Sequence, residues 1–146
     1  MKKLALTDFA KYRYPSALEL SPDGRYLTFA LKEVDREGDG YRWNLWLYDL
    51  ESRESRQITR GDDQRQAVWE DNTHILYKTT ELDEAMRARG FEEEWTVYHR
   101  LNVCTGEERE AFRLPMSVSG LWKMDEGRYV FTGETHLDRP NLLANK

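Results

Sequence analysis

Residues 16–59 read SALELSPDGRYLTFALKEVDREGDGYRWNLWLYDLESRESRQIT. The segment Ser21-Pro22-Asp23-Gly24 separates two runs rich in strand formers. Pro22 pre-sets φ for a turn and Gly24 accepts φ > 0, so the segment is a hairpin. Strands are expected over residues 17–20 and 25–31, and a third over 43–50 beyond a charged loop. A turn at residues 51–54 leads into a short fourth run ending at Ile58. Four strands joined in this order make one antiparallel meander.

Working outward, the rest of the chain repeats this unit imperfectly. Ala67-Val68-Trp69, a turn at residues 70–73, and His74 onward give a second opening hairpin. After a charged loop over residues 81–94, strands are expected over 95–103 and 110–114, with a turn at 105–108. A third unit repeats the opening over 118–123 and 128–132. Superposition places Phe29, Tyr77 and Phe131 in one column and Asp49 and Asn102 in another. Self-similarity at roughly 40–50 residues, four strands per repeat, is the pattern of propeller blades. The expected fold is therefore all-β, about two and a half antiparallel four-stranded blades. A lead segment (1–15) carries a short helix capped by Thr7 or Asp8 and packs on a sheet edge. Blades follow at 16–65 and 66–115, with a partial blade at 116–146. A unit that ends mid-blade reads as a fragment of one larger propeller.

The meander sorts the connections. Tight turns near Asp23, Ser52, Asp71, Gly106 and Asp125 fall on one face of the disc. The longer, charged loops 33–42, 60–65, 81–94 and 135–141 fall on the other, where binding usually resides.

Composition narrows the partners. With a net charge of −5 and charged residues of both signs at 34%, the chain has no basic stripe for nucleic acid. No apolar run approaches a membrane span, and Lys2 and Lys3 precede no signal-peptide core. The single cysteine, Cys104, forms no internal disulfide and reads as a bystander near a strand end, which suits a reducing, cytoplasmic setting.

No catalytic constellation emerges. A nucleophile elbow needs Gly-x-Ser-x-Gly between strand and helix, and Ser119-Gly120 has only a trailing glycine one residue too close. His74, His99 and His136 lack metal-type spacing and read as strand or loop residues. Gly38-Asp39-Gly40 lacks the length and closing glutamate of a calcium loop. No metal or cofactor is expected. Glu92-Glu93-Glu94 admits two readings, a solvated loop end or an acidic contact at the rim of a cavity. Trp43 and Trp46 are expected to pack between blades rather than form a ligand platform.

LTDFAKYRYPS (6–16), LELSPDGRYLTFA (18–30), NLWLYDLES (44–52) and RQITRG (56–61) occur in order. EEWTVYHRLNVCTGEEREAFRLP (93–115) and GRYVFTGETHLDRPNLL (127–143) follow. Together they resemble the N-terminal β-propeller of the prolyl oligopeptidase group of serine peptidases, in its acylaminoacyl-peptidase and dipeptidyl-aminopeptidase-like branch. The resemblance implies that the propeller caps a C-terminal α/β-hydrolase domain with a Ser-Asp-His triad, admitting peptide substrates and excluding folded proteins. That domain lies outside this chain, so no catalytic residue can be assigned here. The resemblance also implies one substrate-side position. An acidic residue eight places before the strand-ending Asn102 faces the cavity and pairs with an arginine of the hydrolase domain. That residue is Glu94, with Glu93 as the adjacent alternative.

Two rival readings stand beside the peptidase. One is a non-enzymatic propeller scaffold of the TolB-like kind; the other is a stand-alone β-domain that completes its sheets as a homo-oligomer.

Overall fold

The structure is a computed structural model in which residues 8–35, 37–82, 88, 94–125 and 127–134 are described. Among the described residues, ten strands form three antiparallel sheets. Sheet I has the order β1 (Tyr14–Leu20), β2 (Tyr26–Asp35), β3 (Gly40–Asp49), β4 (Glu54–Gln57). Sheet II repeats it with β5 (Ala67–Trp69), β6 (His74–Leu82), β7 (Glu94–Asn102) and β8 (Glu108–Leu114). Sheet III pairs β9 (Ser117–Lys123) with β10 (Tyr129–Glu134). The expected meander is thus present.

In the described part of the lead segment, Asp8–Lys11 form a 3-10 turn closed by an Asp8–Lys11 ion pair of 2.5 Å. Thr7 lies outside the described residues. Tyr14 and Pro15 already belong to β1, where Pro15 pairs with Leu31. An edge strand tolerates a proline because one side of its ladder needs no donor.

Turn chemistry explains the hairpins. In the first, the Gly24 N–H donates to Ser21 O at 2.9 Å, with Gly24 at φ 73°. Asp23 accepts from the Ser21 hydroxyl at 2.6 Å and from Arg25 N–H at 3.1 Å. The Asp49/Asn102 column has a physical basis. Asp49 accepts from Glu51 N and Ser52 N at 2.8 and 3.2 Å, and Asn102 from Cys104 N and Thr105 N at 2.9 and 3.1 Å. Each residue turns its chain from third strand to fourth by the same side-chain mimicry of a backbone turn.

Side-chain alternation gives each sheet two faces. Between sheets I and II, Ala30, Leu45 and Leu47 meet Ala67, Trp69, Ile75, Tyr77, Leu101 and Val103. The Trp69 indole N–H donates to Glu19 O across this interface at 3.2 Å. Between sheets II and III, Leu76 and Tyr98 meet Val118, Leu121 and Tyr129. Phe112 bridges them, its ring 4.9 Å from Tyr98 and 5.9 Å from Tyr129.

Sheets II and III are also joined by a polar clamp. Glu70, its side chain 10% exposed, receives both Nε and Nη2 of Arg100, the latter at 2.6 Å, and the hydroxyl of Tyr129. Burial alone would raise the Glu70 carboxyl, but these hydrogen bonds and the Arg100 charge hold it below its ordinary value. Lys123 Nζ donates to the Glu70 carbonyl, and Lys78 Nζ to the carbonyl of Val118.

The second hairpin carries a pH-dependent element. Partial burial would raise Asp71, yet the N–H groups of Thr73 (2.7 Å) and His74 (2.8 Å), with the side chains of both residues, lower its carboxyl from 3.8 to about 2. A depressed folded-state value contributes stability that is complete above the ordinary value and lost as pH falls through the lowered one. Asp71→Asn is therefore expected to flatten the acid limb of stability between about pH 4 and pH 2. Urea midpoints across that range check it; an unchanged slope contradicts the assignment.

Candidate functional site

The strand directions place the β2 end at Asp35, loop 58–66, the β6 end at Leu82 and the β7 start at Glu94 at one end of the sheet stack and the tight turns at the other. Glu94 opens β7 on the long-loop end, exposed and opposite Leu82 in the ladder. Alternation puts it on the side of β7 shared by Thr96 and Tyr98. The Thr96 hydroxyl donates to Met116 O at 2.7 Å and accepts from Val118 N at 3.0 Å. That side chain, 2% exposed, fastens β7 to the start of sheet III. Glu94 thus stands at the rim of the II–III interface, a carboxylate on a rigid strand end rather than on a loop. Glu93 and its neighbour Glu92 lie outside the described residues.

A second cluster on the same end was not foreseen. Lys32 Nζ lies 3.7 Å from the Tyr41 ring centre and 5.2 Å from that of Trp43, and the Arg65 guanidinium lies 4.1 Å from Trp43. The rings take cations on their negative faces. Trp43 also binds the following loop through its backbone, accepting from Gln64 N and donating to Asp62 O, both at 2.9 Å. Asn44 and Asp62 exchange hydrogen bonds of 2.9 and 3.2 Å. Trp43 therefore orders loop 58–66, and it does not pack between sheets as expected. Trp46 stacks on Phe29 at 6.5 Å on the side of sheet I facing away from sheet II. The Lys32–Trp43 ladder pair was the missed signal, since it follows once Asp35 is set opposite Gly40 in the register of β2 on β3.

The histidines acquire partners that spacing did not reveal. His74 Nδ1 lies 2.9 Å from Asp71. His99 Nε2 lies 2.9 Å from the Thr79 hydroxyl, and its ring stacks on Tyr77 at 5.3 Å. Tyr77 and Glu108 line a cleft of about 300 Å³ between sheets I and II, with Arg56, Arg60, Asn102 and Gly106. Burial and the Glu108 carboxylate push the Tyr77 hydroxyl far up, so it remains a neutral donor. This cleft adjoins the tight-turn end of β7, about 25 Å along the strand from Glu94. His136 lies outside the described residues.

Ser119 is a strand residue whose hydroxyl bonds to Thr132 O at 3.1 Å. Cys104 is exposed in the turn after β7. Among the described residues no cluster of His, Cys, Asp or Glu is arranged to hold a metal ion, and no helix is long and apolar enough to cross a membrane.

Successive four-stranded antiparallel meanders, stacked face to face with their loops sorted to two ends, define the chain as part of a β-propeller. Solved structures share that fold. The β-propeller domain of the Trilobed protease from Pyrococcus furiosus matches 84% of this chain at a TM-score of 0.59 and 14% identity. The acylaminoacyl peptidase of Pyrococcus horikoshii matches 91% of it at a TM-score of 0.63 and 14% identity. The chain covers 34% and 20% of those two chains. No family model and no curated protein sequence matches it.

Proposed function

We propose that the chain is the N-terminal propeller portion of a serine peptidase of the prolyl oligopeptidase group. Its long-loop end would meet an α/β-hydrolase domain outside this chain and limit access to peptides. The observation that carries this reading is the likeness of most of the chain to the β-propeller domain of one protease and to part of an acylaminoacyl peptidase, together with the motifs quoted above. An exposed single cysteine suits a reducing, cytoplasmic setting.

In this reading Glu94, with Glu93 beside it, contributes negative charge to the cavity between propeller and hydrolase domain. A carboxylate in a partly desolvated cleft orients a guanidinium or a substrate amine by charge-assisted hydrogen bonds. Glu94→Gln in the full-length enzyme is expected to lower kcat/KM for short peptides by about tenfold with folding unchanged, as the loss of one charged hydrogen bond implies. An unchanged kcat/KM removes Glu94 from the site. The activity itself is tested by labelling the full-length polypeptide with a fluorophosphonate. Modification of a serine beyond residue 146 is expected; an unmodified, folded protein contradicts the peptidase reading.

A further inference from the structure

The interface between sheets I and II does not close along its whole width. The cleft of about 300 Å³ that it leaves has walls of opposite charge, Arg56 and Arg60 from sheet I and Glu108 from sheet II. The register explains why they face each other. Arg56 pairs with Leu47 and Glu108 with Leu101, and both leucines enter the core shared by the two sheets, so the charged side chains lie on the facing sides. Ile58, Leu101 and Val103 add apolar lining.

Both walls are held in place. Arg56 Nη2 donates to the Val103 carbonyl across the interface, which fixes that guanidinium and occupies one of its five N–H groups. The chain carrying Arg60 is fastened to β3: the N–H groups of Ile58 and Thr59 donate to Leu45 O at 2.8 and 3.4 Å, and the Thr59 hydroxyl accepts from Leu45 N–H at 2.8 Å. On the other wall, Glu108 lies beside the Tyr77 hydroxyl and 3.6 Å from His99 Nδ1.

These charges are not matched to one another. Among the described residues Arg60 makes no hydrogen bond or ion pair, and neither arginine pairs with Glu108. Glu110, two residues further along β8, is by contrast matched by Arg113 at 2.6 Å. A simple anion held by the arginines would stand across the cleft from the Glu108 carboxylate, and a simple cation on Glu108 would face two guanidiniums. A zwitterion satisfies both walls at once.

We propose that the cleft between sheets I and II binds a free α-amino acid with an aliphatic side chain. Its carboxylate accepts charge-assisted hydrogen bonds from Arg60 and Arg56, its ammonium donates to Glu108, and its side chain lies against Ile58, Leu101 and Val103. The cleft is at the opposite end of β7 from Glu94 and is built wholly from the two sheets that bound it. The inference therefore rests on their packing and not on the peptidase reading, so either can fail alone.

L-leucine is the probe, titrated into the isotope-labelled chain and followed by amide chemical shifts. Saturable shifts are expected over residues 58–60 and 101–108. Leucinamide lacks the carboxylate and N-acetyl-leucine the ammonium, and each should bind about tenfold more weakly than leucine, as the loss of one charged hydrogen bond implies. This ligand series needs no variant. Arg60→Gln should then weaken leucine by about tenfold and leave leucinamide unchanged, because the contact it removes is one leucinamide never made. Glu108→Gln should weaken leucine in the same way and leave N-acetyl-leucine unchanged, with near-UV circular dichroism verifying that both variants are folded. Absence of saturable shifts, equal binding of leucine and its two derivatives, or losses in the folded variants that do not follow the missing group would each overturn the proposal. So would inorganic phosphate shifting the same amides as strongly as leucine, which would define an anion site.

Discussion

Ile75→Ala is expected to destabilise the protein by about 3 kcal/mol, as buried aliphatic truncations do. Ile75 has no exposed surface and sits in a central strand, within the cluster formed by Leu45, Leu47, Trp69 and Leu101. Removing its side-chain atoms forfeits their transfer from water and leaves a void. β6 is held in register by β5 on one side and β7 on the other, so the backbone cannot collapse into that void. Leu20→Ala serves as control: the lost carbons are similar, but the residue is exposed, and the expected change is within about 0.5 kcal/mol. Urea denaturation of both variants reads the contrast. Similar small losses at the two sites would mean that sheets I and II do not share a consolidated core.

Glu70→Ala should cost a comparable amount, about 3 kcal/mol, for a different reason. The deletion leaves Arg100 without its carboxylate and Tyr129 without its acceptor inside the II–III interface, and uncompensated groups at such sites are expensive. The value sits at the low end of the range for buried pairs because Arg100 keeps about a third of its side-chain surface in water. Arg100→Ala should cost less than Glu70→Ala, since the Tyr129 hydroxyl still has its acceptor. The double variant should be little worse than Glu70→Ala alone, so a double-mutant cycle yields a coupling energy. Additive losses would show that the pair contributes nothing as a pair.

Hairpins and sheet order were legible from sequence because single residues decide them. Pro22, Asp23 and Gly24 fix one turn, and Asp49 and Asn102 mark equivalent turns in two sheets. Contacts between sheets were less legible. The Glu70–Arg100–Tyr129 clamp joins residues far apart in the chain, and no local pattern brings them together. The surroundings of the tryptophans were less legible for a related reason. Trp46 alternates with Leu45 and Leu47, whereas Trp43 shares their side of β3 but lies toward its end, so the pattern alone did not say which side chains are covered. It is Leu45 and Leu47 that enter the core, while Trp43 meets Lys32 and Arg65 and Trp46 faces outward. At the candidate site, sequence located Glu94 at a strand entrance on the loop-bearing end. Its position above the Thr96 fastening needed the II–III packing.

The central claim, that these sheets open a propeller coupled to a hydrolase domain, is tested most directly by the nucleotide sequence that follows the codon for Lys146. The account predicts an open frame encoding further repeats of roughly 40–50 residues and then a Gly-x-Ser-x-Gly elbow between a strand and a helix. A frame that closes without that elbow, whether at once or after more repeats, would contradict it.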